Sequence, residues 1–508
     1  MRLYACLRLP DLPLEVFARA IADNATQPFA VASSGSHPSV VAANDAATAA
    51  GVRARHSVSA ALALAPDLVL RDRDIDVEAA ALANVATWIT QFTPAVHLAP
   101  PDAVLADIGG SLRLFGGLAQ LRSLVETGFA ALGYRSEWAF APTPSAALLF
   151  ARCGRVEPLT DRRGLDAALA PLPLAKLDVD TEAVTLLATA GVTTVGQACA
   201  LPRDGLARRV GPAFVDALDR AHGRIPDARA PFAPPARYEG RLELPSSVDN
   251  VEALAFAVNR LVHELAGWLL GRGLGVTRLS LALVHERYAI GRKTPARTDV
   301  PFALAAPARE PAHLNSVLRE RLARVTLRAP VVALALGSEE AAPLPGRNLG
   351  LLPEDAAAAA TVPLIDRLRA RLGEQAVVRI DPQAEHRPER ASREGKIGAT
   401  KVGSDSTFAI PQKRRQRSTS KVESDPTFHA PRPAWLLSEP EPLAAALESA
   451  PWILRDGPER IESGWWDGAD VRRDYYVAES PHGELCWIYR DHRYGIDDGE
   501  WFLHGLFA

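Results

Sequence analysis

Short apolar runs alternate with helix-periodic segments along the first 165 residues. Leu3–Leu9, Val40–Ala43 and Ala103–Ile108 are brief and apolar enough to predict buried strands. Ser57–Leu64, Leu118–Leu132 and Ser145–Arg152 place apolar residues three and four apart, which predicts helices. The pattern then changes. Thr181 to Gly223 reads as short helices separated by glycines: Glu182–Ala190, the turn Gly191-Val192, Val195–Leu201, Arg203–Val210, and Phe214–His222 after Gly211-Pro212. Such helix-hairpin-helix turns offer backbone amides to a phosphate without reading sequence. From Arg237 the order is a strand at Arg241–Leu244, a long helix at Val251–Leu270, an alternating strand at Val276–His285 and a helix near Pro311–Leu322. That order predicts an α+β layer with one sheet face free.

Length and punctuation divide the chain further. At about 150 residues per domain, 508 residues imply three to four domains. The expected divisions are a first body at 1–165, a helical domain at 166–232, an α+β domain at 236–335, an Ala/Pro-rich linker at 337–360 and a helical segment at 361–388. A low-complexity linker at 389–433 and a C-terminal module at 434–508 complete the set. The linker carries the near-repeats KVGSDSTFAIP and KVESDPTFHAP around the basic run Lys413-Arg414-Arg415-Gln416-Arg417, and holds too few large apolar residues to bury a core. The basic run suits either a solvated linker or a contact with DNA.

Charge adds a contrast that the net value of -3 hides. Residues 1–165 are balanced, with 14 Lys+Arg against 15 Asp+Glu; residues 237–328 carry 14 against 9; residues 431–508 carry 7 against 15. A basic middle fits a phosphate-contacting surface, with Arg278, Arg287, Arg292, Lys293 and Arg297 on or beside the expected strands. The cysteines, Cys6, Cys153, Cys199 and Cys486, stand far apart without a zinc or disulfide pattern, and the N-terminus reaches Pro10 too soon for a signal core. A reducing cytoplasm and no membrane partner are the expectation.

The blocks GVRARHSVSAALALAPDLVL at 51–70, VLADIGGSLRLFGG at 104–117 and LPLAKLDVDTEAVTLLATAGVTTVGQACALP at 172–202 together resemble, in this order, the fingers, palm and thumb of Y-family translesion DNA polymerases. The resemblance is closest to the ImuB branch and covers essentially the whole chain. It implies a multidomain α+β fold: palm and fingers at 1–165, a helix-hairpin-helix thumb at 166–232, a little finger at 236–335, then the linker and a small β-rich C-terminal module.

The resemblance fails where chemistry would lie. Phosphoryl transfer by a polymerase needs carboxylates that hold two Mg²⁺ ions about 4 Å apart. The family's first carboxylate pair falls at Arg8 and Pro10, and the second at Asp102 and Ala103. Asp102 alone is an acid; Asp11 and Glu15 would need a shift of register to point inward, and Asp107 suits a turn cap. The fingers positions that contact the incoming triphosphate fall at Asp45 and Thr48, and the palm helix 144–151 has no lysine. No catalytic residue, metal or cofactor is therefore expected, with Mg²⁺ needed only if polymerase activity survives.

The linker motif Arg347-Asn348-Leu349-Gly350-Leu351-Leu352-Pro353 resembles the peptide by which bacterial polymerases dock into the sliding clamp: a polar residue leads and closely spaced leucines fill a pocket. Asn348 replaces the usual glutamine and Leu352 a common phenylalanine, which implies weaker binding. Pro363–Gly373 and His386–Arg390 resemble stretches that follow this motif in ImuB proteins. Six of nine tryptophans lie beyond residue 434, among β-type runs that predict a three- or four-stranded meander. Either core packing or partner contact explains them; in the resembled family this part meets an ImuA-like protein and an error-prone C-family polymerase.

The expected function is a non-catalytic scaffold for damage tolerance and induced mutagenesis. It would hold damaged or primer-template DNA and the clamp, reside in the cytoplasm and join the nucleoid during DNA damage. An active translesion polymerase using Asp102 with Asp11 or Glu15, and a repair factor without clamp contact, are the alternatives.

Overall fold

The computed structural model describes residues 2–20, 27–155, 157–286, 295–344, 353–396, 432–433, 435–443, 452–492 and 500–507. They form two compact units, Met1–Glu374 and Gln375–Ala508.

The palm is a four-stranded sheet in the order Val96–Ala99, Ala103–Asp107, Tyr4–Arg8, Glu137–Ala141, antiparallel throughout. Leu3, Ala5, Leu7 and Leu9 join one core, against the helices Ile75–Ile89 and Leu118–Leu132; Tyr4 and Cys6 join another, under the helix Pro144–Arg152. Both faces are covered, so the strand reads as an unbroken apolar run instead of alternating. Beside it the fingers pair Phe29–Ala32 with Val40–Ala43 antiparallel and with Val69–Asp72 parallel, over a core of small residues such as Ala30, Ala47, Val52 and Ala61. The expected helix at Ser57–Leu64 begins at Val58, with Ser57 as its cap.

The thumb helices are Thr181–Thr189, Val195–Cys199, Arg203–Val210 and Pro212–His222. Thr194 and Gln197 form a capping box, and Gly191 and Gly211 take φ of +80° and +89°, which the reversals of the chain require.

The little finger is a four-stranded antiparallel sheet in the order Arg297–Ala308, Leu274–His285, Val331–Pro343, Glu239–Val248, covered on one face by Val251–Arg272 and Pro311–Leu322. The 297–308 and 331–343 strands were absent from the expected pattern, because the alanines and prolines of PFALAAPA and VVALALGSEEAAP mask alternation. The long helix also packs on the palm: Gly267 lies so close to Trp88 that an added Cβ would sit 2.1 Å from Cδ1. Arg260 donates to the Ala130 and Ala131 carbonyls at 2.8 and 2.7 Å, and Arg19 pairs with Glu264, both fully buried.

Two boundaries differ from the sequence expectation. The strand ending at Pro343 and the helix Pro353–Leu372 occupy most of the expected 337–360 linker; its alanine run is what a helix prefers. The expected helical segment 361–388 stops at Leu372; its later part, Val378–Pro382, instead pairs as a hairpin with Ser392–Lys396, which lies inside what was to be linker.

In the second unit this hairpin precedes a five-stranded sheet in the order Trp435–Pro442, Trp501–Leu506, Leu485–Asp491, Val471–Glu479, Ile453–Ser463. The last four strands in sequence form the expected meander, and Trp435–Pro442 adds an edge. The His386–Arg390 stretch is bound to this unit by charge. Buried Arg387 donates two hydrogen bonds to Asp467 at 3.0 and 2.7 Å, pairs with Glu385 at 2.6 Å and lies over the Trp466 ring, while Glu389 meets Arg473 at 3.2 Å. Ionic anchoring of Glu389 by Arg473 explains why the polar stretch that begins there looked like linker. Residues 397–431 lie outside the described residues.

Candidate functional site

The palm strands bring Arg8, Asp102 and Ala103, three of the positions that the family resemblance assigned to metal ligands, close together. Arg8 is the cross-strand partner of Ala103 on one side and of Glu137 on the other. Its Nε donates to Asp102 Oδ2 at 2.8 Å and its Nη1 to Glu137 Oε2 at 2.9 Å. Burial alone would lower the Arg8 pKa, but Asp102 and Glu137 outweigh it and raise it, so the guanidinium stays charged. A cation thus stands between two carboxylates, Asp102 and Glu137, and pairs with both. Pro10 follows the strand, and the Leu9 amide donates to the Asp102 carbonyl at 2.7 Å. Among the described residues no three His, Cys, Asp or Glu side chains converge as a metal site. This donor set does not fit a pair of divalent cations.

Of the two substitute acids, Glu15 is held by another group, while the Asp11 side chain makes no cap bond to its helix. Asp11 stands at the start of the helix Leu12–Ala18. Glu15 is buried and accepts the Arg135 amide at 2.7 Å; burial raises its pKa to about 7. Asp107 Oδ1 accepts the Gly109 amide at 3.1 Å, the turn-capping role expected of it. Asp45 opens a fingers helix and pairs with Arg135 at 3.2 Å, largely in solvent. Glu137 and Arg135 escaped the sequence reading, because nothing local ties them to Arg8 or Asp45, 129 and 90 positions away.

Residues 16–152 match the IMS family, described as impB/mucB/samB. Protein ImuB of Caulobacter vibrioides strain NA1000 / CB15N is 32% identical over 475 residues, covering 88% of this chain and 98% of that protein; the sequence from strain ATCC 19089 / CIP 103742 / CB 15 gives the same values. The chain belongs to the ImuB family. Among solved structures, DinB from Sulfolobus solfataricus is 14% identical with a TM-score of 0.37, and the insertion ternary complex of Dbh DNA polymerase is 13% identical with a TM-score of 0.39. Each covers 66% of this chain and 98% of its own.

The other predicted positions of this ImuB-family chain are separate from the palm cluster. Gly191 and Gly211 lie at the thumb turns, where an added Cβ would meet nothing within 4 Å; their amides donate to the Ala188 and Ala207 carbonyls, both at 3.0 Å. Arg278 and Arg297 are exposed on little-finger strands, paired with Glu340 at 3.2 Å and Asp299 at 2.6 Å. Exposed pairs of this kind are held weakly and can exchange partners. Arg287, Arg292 and Lys293 lie outside the described residues, as do Asn348, Leu349, Gly350, Leu351 and Leu352. The tryptophans divide by role: Trp487 is buried and stacks on Tyr475 with centroids 4.0 Å apart, whereas Trp435, Trp465 and Trp466 are exposed. Among the described residues no helix is long and apolar enough to cross a membrane.

Proposed function

We propose that this chain is a non-catalytic, Y-family polymerase-like scaffold of a mutasome, which brings an error-prone polymerase to damaged DNA. The observation that carries the reading is the Arg8 guanidinium held between Asp102 and Glu137, where nucleotidyl transfer needs metal-binding carboxylates. In this reading the thumb turns at Gly191 and Gly211 and the little-finger cations Arg278, Arg287, Arg292, Lys293 and Arg297 grip a duplex through phosphates. The Asn348–Leu352 motif docks into the sliding clamp, and the Trp-rich module meets an ImuA-like protein and a C-family polymerase. The protein works in the cytoplasm, at the nucleoid during damage, without a cofactor of its own.

Primer extension with Mg²⁺ or Mn²⁺ tests the central point. The expected result is no template-dependent incorporation; incorporation that disappears in Asp102→Ala would establish the active-polymerase alternative instead. That alternative draws no support from Asp102 or Glu15, both engaged by other groups. A clamp pull-down with Leu349→Ala/Leu351→Ala tests the motif, with loss of retention expected; unchanged retention would leave a DNA-binding factor without this clamp contact.

A further inference from the structure

The thumb holds a nucleophile, a base and an acid in contact, away from the palm. Cys199 ends the helix Val195–Cys199, His222 ends the helix Pro212–His222, and Asp166 lies in the first turn of Leu165–Leu169. The packing of these three short helices sets Cys199 Sγ 3.5 Å from His222 Nε2 and His222 Nδ1 2.5 Å from Asp166 Oδ1. A carboxylate can only accept, so Nδ1–H donates to Asp166 and Nε2 is left as the acceptor facing the thiol. The His222 side chain is only 4% exposed, which fixes the ring, while Cys199 is exposed to reagents.

We propose that Cys199 is a base-assisted reactive thiol, a site of reversible thiolation by low-molecular-weight disulfides. His222 takes the thiol proton, and Asp166 orients the ring and balances the imidazolium charge. The Cys199 sulfur attacks one sulfur of the disulfide; the new S–S bond forms as the reagent's own breaks, and the departing thiolate takes the proton from His222. Cys199 is oxidised to a mixed disulfide and the released half is reduced to a thiol. The charged groups around the sulfur are Arg224, Asp166 and Asp219, and Asp219 is itself paired with Arg203 and Arg224. Burial pushes the thiol up and Arg224 opposes it, so little thiolate stands ready at neutral pH and the adjacent base matters. The other cysteines lack this arrangement: Cys6 is buried with its thiol pushed to about 12, Cys486 is buried, and Cys153 is half-buried.

The test uses the full chain, with glutathione disulfide and, separately, iodoacetamide, followed by intact mass and peptide mapping between pH 6.5 and 9.5. Cys199 is expected to react first, and a thiol reductant to reverse the glutathione adduct. His222→Gln should slow Cys199 by ~10-fold at pH 7 and little above the thiol's own titration, since general-base assistance matters only while the thiol is protonated. Asp166→Asn, at a side chain 75% exposed, should slow it by a smaller factor in the same pH range. Rates unchanged in both variants, or Cys153 reacting as fast as Cys199, would overturn the proposal.

Discussion

Replacing Arg8 with methionine removes the cation while keeping an unbranched chain, and leaves Asp102 partly buried without its partner. Two opposite charges about 4 Å apart at an effective dielectric of about 20 attract by about 4 kcal/mol. The Arg8 and Asp102 side chains are 26% and 19% exposed, so solvent screening and the cost of desolvation cancel much of this. Exposed pairs contribute about 0.2–1 kcal/mol and breaking a buried pair costs about 3–5 kcal/mol. This partly buried pair falls between them, at about 1–2 kcal/mol, with Glu137 adding little because it is nearly half exposed. Thermal unfolding of the full chain, read at the transition of the first unit, should show a midpoint lower by on the order of 2 °C in Arg8→Met. The double variant with Asp102→Asn should recover most of that loss, because the orphaned charge is gone. Additive losses, with a coupling below about 0.3 kcal/mol, would refute the claim that Arg8 is the partner that stabilises Asp102.

Other outcomes follow from the same structure. Glu15 has its pKa raised to about 7, so the folded state binds its proton more tightly than the unfolded chain and stability falls as pH rises from about 4.5 to 7; Glu15→Gln should raise the thermal midpoint at pH 8 and do so less at pH 5. His504 is the opposite case: burial lowers its pKa to about 4, so the C-terminal unit should lose stability as pH falls from about 6.5 toward 4, and His504→Gln should flatten that loss in a pH series of near-UV dichroism. Glu264→Ala leaves Arg19 buried and unpaired and should cost about 3–5 kcal/mol, measured by denaturant unfolding. Trp465→Ala, at a side chain 78% exposed, should leave the thermal midpoint within about 1 °C while weakening capture of a partner, whereas Trp487→Ala should unfold the C-terminal unit.

The local order of elements was legible in the sequence wherever a short-range signal existed. Strand Tyr4–Arg8 showed as an apolar run, helix Leu118–Leu132 as a period, and the thumb reversals as Gly191 and Gly211. The block order that pointed to the ImuB family, and the loss of acids at Arg8, Pro10 and Ala103, were equally visible, because residue identity at a motif needs no coordinates. Partners separated by a hundred residues were not visible. Sequence showed that Arg8 cannot bind a cation; only the antiparallel register of three strands showed that it satisfies Asp102 and Glu137. The same holds for Cys199, His222 and Asp166, single polar residues on three helices, and for Arg387, whose partner Asp467 stands 80 positions away. Hydrophobic periodicity encodes which face of an element is buried, and so fixes elements one at a time. Ion pairs and proton relays are set by which elements meet, and that is decided when the chain packs.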